Sequence, residues 1–244
     1  MVWTQVVEAR PFAAERMVCF PHAGGSPYFF RPWAKALGAY EIHAVCYPGR
    51  AERFAEECAA ELVPMAREIA AELLASDDER PAVFFGHSMG AIVAYEVVRA
   101  LEEAGSGVAH LFASGAKAPH LMTGDPVAAA AWDEESIART LIELGGTDPE
   151  LLNNRAFVEL VMPYIGADFR MLAAYEGQPR PPLHCPVTAV VGDADPRVTT
   201  AHSAAWREST RGPAVALTVP GEHFYLADRP PFGLIEEALR PLRG

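Results

Sequence analysis

Two hydrophobic periods take turns along the chain. Apolar runs of strand length stand at residues 16–20, 41–47, 81–85, 109–114, 187–191 and 214–219. Between them come helical spacings. Leu62, Met65, Ile69 and Leu73 recur at three- and four-residue steps, which predicts a helix over 62–74 with one buried face. Residues 91–101 predict a second helix, with Ile92, Tyr95 or Glu96, and Arg99 stepping round its faces. Ser26 is a suitable N-cap and Pro27 a suitable first residue for a helix over 28–37. A further helix is expected from about residue 201, and Pro231 begins a closing one. Strands alternating with helices predict an α/β fold with a mainly parallel sheet and helices on both faces.

Residues 119–181 depart from that alternation. Asp133 opens a helix carrying Ile137, Leu141 and Leu144, and Gly145-Gly146 close it. Asp148-Pro149 opens another, and residues 156–162 and 165–175 continue the pattern around Pro163. The expectation is one domain over 1–244, with 119–181 as a helical lid subdomain inserted between two strands. Phe157, Leu160, Met162, Ile165, Phe169, Met171, Leu172 and Tyr175 are candidates to line an acyl pocket beneath it, with ordinary helix packing the expectation for any one of them.

Composition narrows the class. Half of the 244 residues are hydrophobic, enough for a sizeable core in one domain. No apolar run approaches a membrane span, and Met1-Val2-Trp3-Thr4-Gln5 begins no signal peptide, so a cytoplasmic protein is expected. A net charge of −12 argues against nucleic acid as partner. Cys19, Cys46, Cys58 and Cys185 are scattered, which reads as free thiols and neither a metal site nor a disulfide framework.

The chemistry centres on Gly86-His87-Ser88-Met89-Gly90, between the apolar run at 81–85 and the helix at 91–101. Strand, Gly-x-Ser-x-Gly and helix make a nucleophile elbow: the glycines permit a tight turn, and Ser88 stands at a helix N-terminus. A serine hydroxyl needs a general base, and the base needs an acid to orient it. His223 follows the run at 214–219 through Pro220-Gly221-Glu222, a loop at a strand end, and is the candidate base. His22 and His87 lie inside motifs where the backbone matters more; His43 lies within a strand; His110, His120, His184 and His202 lack the strand-end context. The acid is Asp195 or Asp193 in Gly192-Asp193-Ala194-Asp195-Pro196; Pro196 fixes the backbone beside Asp195, while Asp193 suits a turn cap. The order serine, aspartate, histidine is that of α/β-hydrolases. Pro21-His22-Ala23-Gly24-Gly25 after the first strand is a loop whose small residues let backbone approach a carbonyl. Ala23 N–H, paired with Met89 N–H, is the candidate oxyanion hole. After the run at 41–47, Pro48-Gly49-Arg50 and Arg53 offer two cations. Solvated pairs with Glu52 and Glu56 are the expectation, and an anionic ligand the alternative.

These residues support acyl transfer to water and leave ester, thioester and amide open. Phe20-Pro21-His22-Ala23-Gly24-Gly25-Ser26, Tyr47-Pro48-Gly49-Arg50, Gly86-His87-Ser88-Met89-Gly90-Ala91, Gly192-Asp193-Ala194-Asp195-Pro196 and Gly221-Glu222-His223-Phe224 together resemble the type II thioesterases of polyketide and nonribosomal peptide synthesis. The likeness runs from Val18 to Leu226 and is least clear in the lid. It implies an α/β-hydrolase fold with Ser88 as nucleophile, His223 as base and Asp195 as acid. It also implies a stand-alone enzyme that clears acyl groups from the phosphopantetheine arm of an acyl or peptidyl carrier protein, with no cofactor of its own. A product-releasing thioesterase, a general carboxylesterase or an acyltransferase would use the same residues. A non-catalytic binding module on the same fold would have lost one of them. Carrier proteins are usually acidic, as this chain is, so docking needs a local basic patch, with Arg50, Arg53 and Lys117 as candidates, or apolar contact.

Overall fold

The computed structural model describes residues 2–145 and 149–240. Seven strands form one sheet: β1 (Thr4–Val6), β2 (Glu15–Phe20), β3 (Tyr40–Val45), β4 (Ala82–His87), β5 (His110–Ser114), β6 (Val187–Gly192) and β7 (Ala214–Val219). Their order is β1-β3-β2-β4-β5-β6-β7, with β1 antiparallel to β3 and every other pair parallel. The helices are α1 (Arg31–Ala36), α2 (Leu62–Leu74), α3 (Met89–Glu103), α4 (Pro126–Ala130), α5 (Glu134–Glu143), α6 (Pro149–Leu152), α7 (Arg155–Ala174), α8 (Thr200–Ala204), α9 (Tyr225–Asp228) and α10 (Phe232–Leu239). This is the α/β-hydrolase arrangement.

The pleat sorts the core into two layers. Val18, Phe20 and Phe84 face α2 and α3, packing with Met65, Ile69, Ile92 and Val97. Met17, Cys19, Val83 and Phe85 point the other way, onto Trp33 of α1 and Ile235 and Leu239 of α10. Because both faces are covered, β2 and β4 read as continuous apolar runs. A third, smaller cluster joins α5 and α7 through Ile137, Leu141, Val161, Met162 and Ile165. These helices lie between β5 and β6, and an antiparallel bridge from Thr123 to Glu176 ties the two ends of the excursion together.

Several boundaries differ from expectation. The helix expected over 28–37 is a 3-10 turn at Pro27–Phe30 followed by α1, and the Ser26 side chain makes no capping bond. Pro32 has no N–H for the residue 28 carbonyl and instead takes a place in the first turn of α1, where a missing donor costs nothing. Conversely, Pro163 does not divide α7, one helix of 20 residues capped by Asn154, whose side chain accepts from Phe157 N–H. The Asp133 cap of α5 is present. The helix opening expected at Asp148 lies outside the described residues, as does Gly146. The three-residue β1 is too short to announce itself. All four cysteines are free, Cys58 half-buried and the rest buried.

Candidate active site

The parallel sheet delivers four loops to one edge, at the carboxyl ends of β2, β4, β6 and β7. After β4 the chain reverses through Ser88, which has φ 54° and ψ −120°, and enters α3 at Met89. A left-handed φ at a non-glycine residue is strained and persists only where its surroundings hold it. Here the neighbours do so. A Cβ on Gly86 would stand 2.3 Å from the Gly90 carbonyl oxygen, and one on Gly90 would stand 2.0 Å from the Phe20 carbonyl oxygen. The Ser88 N–H is taken by the Ser114 carbonyl at 2.8 Å. Met89 N–H belongs to the first turn of α3, whose donors have no partner within the helix.

The loops after β6 and β7 bring Asp195 and His223 together, with Asp195 Oδ2 2.7 Å from His223 Nδ1. Asp195 Oδ1 accepts from the N–H groups of Arg197 (2.8 Å) and Val198 (2.9 Å). Burial pushes this carboxyl up, but the His223 and backbone hydrogen bonds outweigh it and hold the group below its ordinary range. An ionised carboxylate only accepts, so His223 Nδ1 carries the hydrogen, and Nε2 is the ring nitrogen left to serve as the acceptor in the neutral tautomer. Asp193 turns elsewhere: its Oδ1 accepts from Gly221 N–H at 2.9 Å, closing the two loops on each other.

Ser88 and His223 line one cavity of about 280 Å³, walled by Ile92, Met122, Trp132, Leu144, Phe169 and Leu172, with Lys117 and Arg197 also in its lining. Of the eight apolar candidates on the α7 stretch, Phe169 and Leu172 reach it. Met171 and Tyr175 pack in the main core, Met162 and Ile165 pack with α5, Phe157 packs against that same small cluster, and Leu160 is exposed. Helical spacing marks a face but not which neighbour that face meets. Met122, Trp132 and Leu144 complete the wall from outside that helical face.

Two more histidines stand behind His223. His87 is buried and His22 half-buried; burial first, then the nearby His223, hold both below the ordinary imidazole range, His22 at about 3. The His87 ring centre is 5.1 Å from that of His223. His87 Nδ1 meets Ser114 Oγ at 2.9 Å, and Ser114 Oγ meets the Tyr225 hydroxyl at 2.7 Å. Gly115, at φ 58°, lies where a Cβ would be 2.6 Å from the His87 ring.

The Pro21–Gly25 loop is held from two sides. Tyr47 OH donates to the Pro21 carbonyl, and Gly24 N–H donates to Asp168 Oδ2 at 2.8 Å. Ala23, half-buried, sits between these anchors. The arginines are not solvated. Arg50 and Arg53 are 3% and 5% exposed. Arg50 grips Asp168 of α7 with both terminal nitrogens. Burial lowers its guanidinium and the Asp168 charge raises it, with a net rise. Arg53 does pair with Glu56, and also donates to the Cys46 carbonyl beneath the surface. Neither is placed to form a surface patch. Asp168 was not singled out from sequence. A carboxylate on the same face as Ile165, Phe169 and Leu172 of an amphipathic helix is the signal that could have found it.

One further group of metal-ligand types exists among the described residues, Glu41, His43 and Asp78, and Arg80 already binds both of its carboxylates. No helix of the described residues is long and apolar enough to cross a membrane.

A family model described as the thioesterase domain matches residues 15–238. Thioesterase PikA5 of Streptomyces venezuelae is 36% identical over 230 residues, covering 93% of this chain and 81% of that protein. The probable cadicidin biosynthesis thioesterase of Streptomyces griseus is 36% identical over 214 residues, covering 87% of this chain, which spans 58% of that protein's length. The solved structure of the type II thioesterase BorB, from the borrelidin biosynthetic cluster, superposes with a TM-score of 0.86 at 36% identity, covering 97% of each chain.

Proposed function

The chain belongs to the thioesterase family, among the type II thioesterases, and from that premise we propose that it hydrolyses acyl groups from the phosphopantetheine thiol of acyl or peptidyl carrier proteins through a Ser88–His223–Asp195 acyl-enzyme mechanism. The observation that carries the reading is the 2.7 Å contact between Asp195 and His223 beside the strained turn at Ser88, with Ser88 and His223 on one cavity.

In this reading His223 Nε2 takes the Ser88 hydroxyl proton as Oγ attacks the thioester carbonyl. Negative charge moves to the carbonyl oxygen, where the N–H groups of Ala23 and Met89 stabilise it. The tetrahedral intermediate collapses, the C–S bond breaks, and the departing thiolate receives the proton held on Nε2. Water then enters, gives its proton to Nε2 and attacks the acyl-enzyme. The second collapse returns Ser88 with its hydrogen and releases the carboxylic acid. Asp195 stays ionised throughout and keeps the imidazole in one tautomer. No cofactor takes part; the phosphopantetheine belongs to the partner. The apolar wall formed by Trp132, Phe169 and Leu172 accommodates the acyl chain. Of the three cations considered for docking, only Lys117 remains, half-buried in the cavity lining.

The test is the intact mass of a carrier protein loaded with acetyl, propionyl or a longer acyl group, incubated with the parent enzyme and with Ser88→Ala. Loss of acyl mass with the parent alone is expected. Removal of short, non-extendable acyl groups in preference to a finished chain marks clearance, and the reverse marks product release. Turnover of simple esters with carrier thioesters untouched overturns the reading in favour of a general esterase.

A further inference from the structure

We propose that Asp168, held by Arg50, is a positioning residue through which the helical insertion sets the oxyanion loop. The inference rests on the reading above, in which Ala23 supplies an N–H to the oxyanion.

Asp168 lies on α7 and is 3% exposed. Both of its oxygens are engaged. Oδ1 accepts from Arg50 Nη2 at 2.7 Å; Oδ2 accepts from Arg50 Nη1 at 2.5 Å and from Gly24 N–H at 2.8 Å. The partners are far apart in sequence and come from three places: the β2 loop, the Pro48-Gly49-Arg50 turn after β3, and the insertion. Arg50 also packs against two rings, 4.7 Å from the centre of Tyr164 on α7 and 5.3 Å from that of Tyr47.

Shape follows the same lines. Gly24 has φ 76°, and a Cβ there would stand 2.9 Å from Ile165 of α7. Gly49 has φ 84°, and a Cβ there would stand 2.4 Å from Cys58 Sγ and 3.3 Å from Tyr164 Cβ. The two glycines let α7 lie directly on both turns, close enough for one carboxylate to hold them. Stability alone does not call for this pair, because a buried ion pair recovers little more than its desolvation cost. It does supply a direction. A carboxylate with a fixed approach orients Gly24 N–H, and the planar peptide fixes the Ala23 carbonyl and Cα with it; on the other side of Ala23 the His22 carbonyl accepts from Gly25 N–H at 2.8 Å and the Pro21 carbonyl from Tyr47 OH, so the Ala23 N–H is held between two pinned peptides. An oxyanion donor must be placed to within a fraction of an ångström to be effective.

The experiment compares the parent, Asp168→Asn, the double variant Arg50→Met/Asp168→Leu, and Ser88→Ala, all as full chains. Readouts are kcat and KM on an acetyl-loaded carrier protein, melting temperature, and affinity for phenylboronic acid, whose tetrahedral adduct with Ser88 places an oxygen in the oxyanion hole. Removing both charges leaves no stranded ion, so the double variant is expected to melt close to the parent. Its kcat is expected to fall by about 100-fold with KM within about twofold, and boronate affinity to weaken by a comparable factor. Asp168→Asn keeps one oxygen for Gly24 N–H and is expected to lose about tenfold in both kcat and boronate affinity. Unchanged boronate affinity in the double variant overturns the proposal whatever happens to kcat. If that variant does not fold, parent-like kcat and boronate affinity in Asp168→Asn overturn it. Hydrolysis by Ser88→Ala at the parent's rate overturns the serine reading itself, whereas an inactive Ser88→Ala beside a fully active double variant overturns only the role of Asp168.

Discussion

Asp195 Oδ2 accepts the His223 Nδ1 hydrogen at 2.7 Å, while Asp193, two residues earlier on the same loop, accepts from the Gly221 backbone at 2.9 Å. One carboxylate addresses the imidazole and the other the loop that carries it. Asp195→Asn is expected to lower kcat by about 10³-fold or more, because an amide can present its N–H₂ to the ring and select the wrong tautomer. Asp193→Asn keeps an oxygen for Gly221 N–H and is expected to stay within about fivefold of the parent. Single-turnover hydrolysis of an acyl-loaded carrier protein measures both. The reverse order assigns the acid to Asp193.

Ser88→Ala is expected to reduce turnover by about four orders of magnitude or more. Its fold should persist, because the strained backbone at φ 54° is imposed by Gly86, Gly90 and the Ser114 carbonyl and not by the hydroxyl. Circular dichroism and melting temperature check the fold, and mass spectrometry of the acyl carrier checks the activity. Turnover near the parent's in purified variant excludes a Ser88 acyl-enzyme.

A second carboxylate cluster governs acid stability. Burial pushes Glu41 up, but the Arg80 guanidinium, the Arg10 N–H and His43 together bring it down to about 2. Arg80 likewise holds Asp78 at about 2, with Arg16 adding to the effect. Both pKa values are depressed on folding, so their stabilisation is complete above the unfolded carboxylate range and is lost as pH falls towards 2. Arg80→Met is therefore expected to lower stability at pH 7 by about 2 kcal/mol. Between pH 5 and pH 2 the difference from the parent should close, as protonation removes the partners in both proteins. Urea midpoints across that range test it; a constant difference assigns the Arg80 effect to packing.

What the chain revealed by itself was local. The elbow at Ser88 could be read because strand, turn and helix are contiguous and the Gly86 side of the turn presses on Gly90, although Gly90 itself is required by the distant Phe20 carbonyl. The strands were legible because burial on both faces makes them uninterrupted apolar runs. Longer-range facts were not. Arg50 and Arg53 follow a turn and precede acidic residues, which locally looks like solvated surface, yet α7 covers Arg50 with a carboxylate 118 positions away. The cavity wall had the same difficulty: Trp132 and Leu172 reach Ser88 only because the insertion folds back over the sheet edge. Pro32 and Pro163 show the limit of a single rule, since one proline sits in the first turn of α1 and the other rides on the exposed side of α7 without dividing it.

Chain-length selection should reside in that wall. Leu172 lines the cavity one helical turn after Phe169 and is half-buried, so a larger side chain there projects into the space beside Ser88 before it meets the main core. Leu172→Trp shortens the cavity without touching Asp195, His223 or either candidate oxyanion donor. Hydrolysis of acetyl-loaded carrier should remain within about threefold of the parent, whereas octanoyl-loaded carrier should lose about 30-fold or more, since each methylene denied its site costs about 1–3 kcal/mol of transition-state binding. Competition between the two loaded carriers in one tube, followed by intact mass, gives the ratio directly and cancels any loss of folded enzyme. A ratio equal to the parent's places the acyl chain elsewhere, outside the wall built by α7.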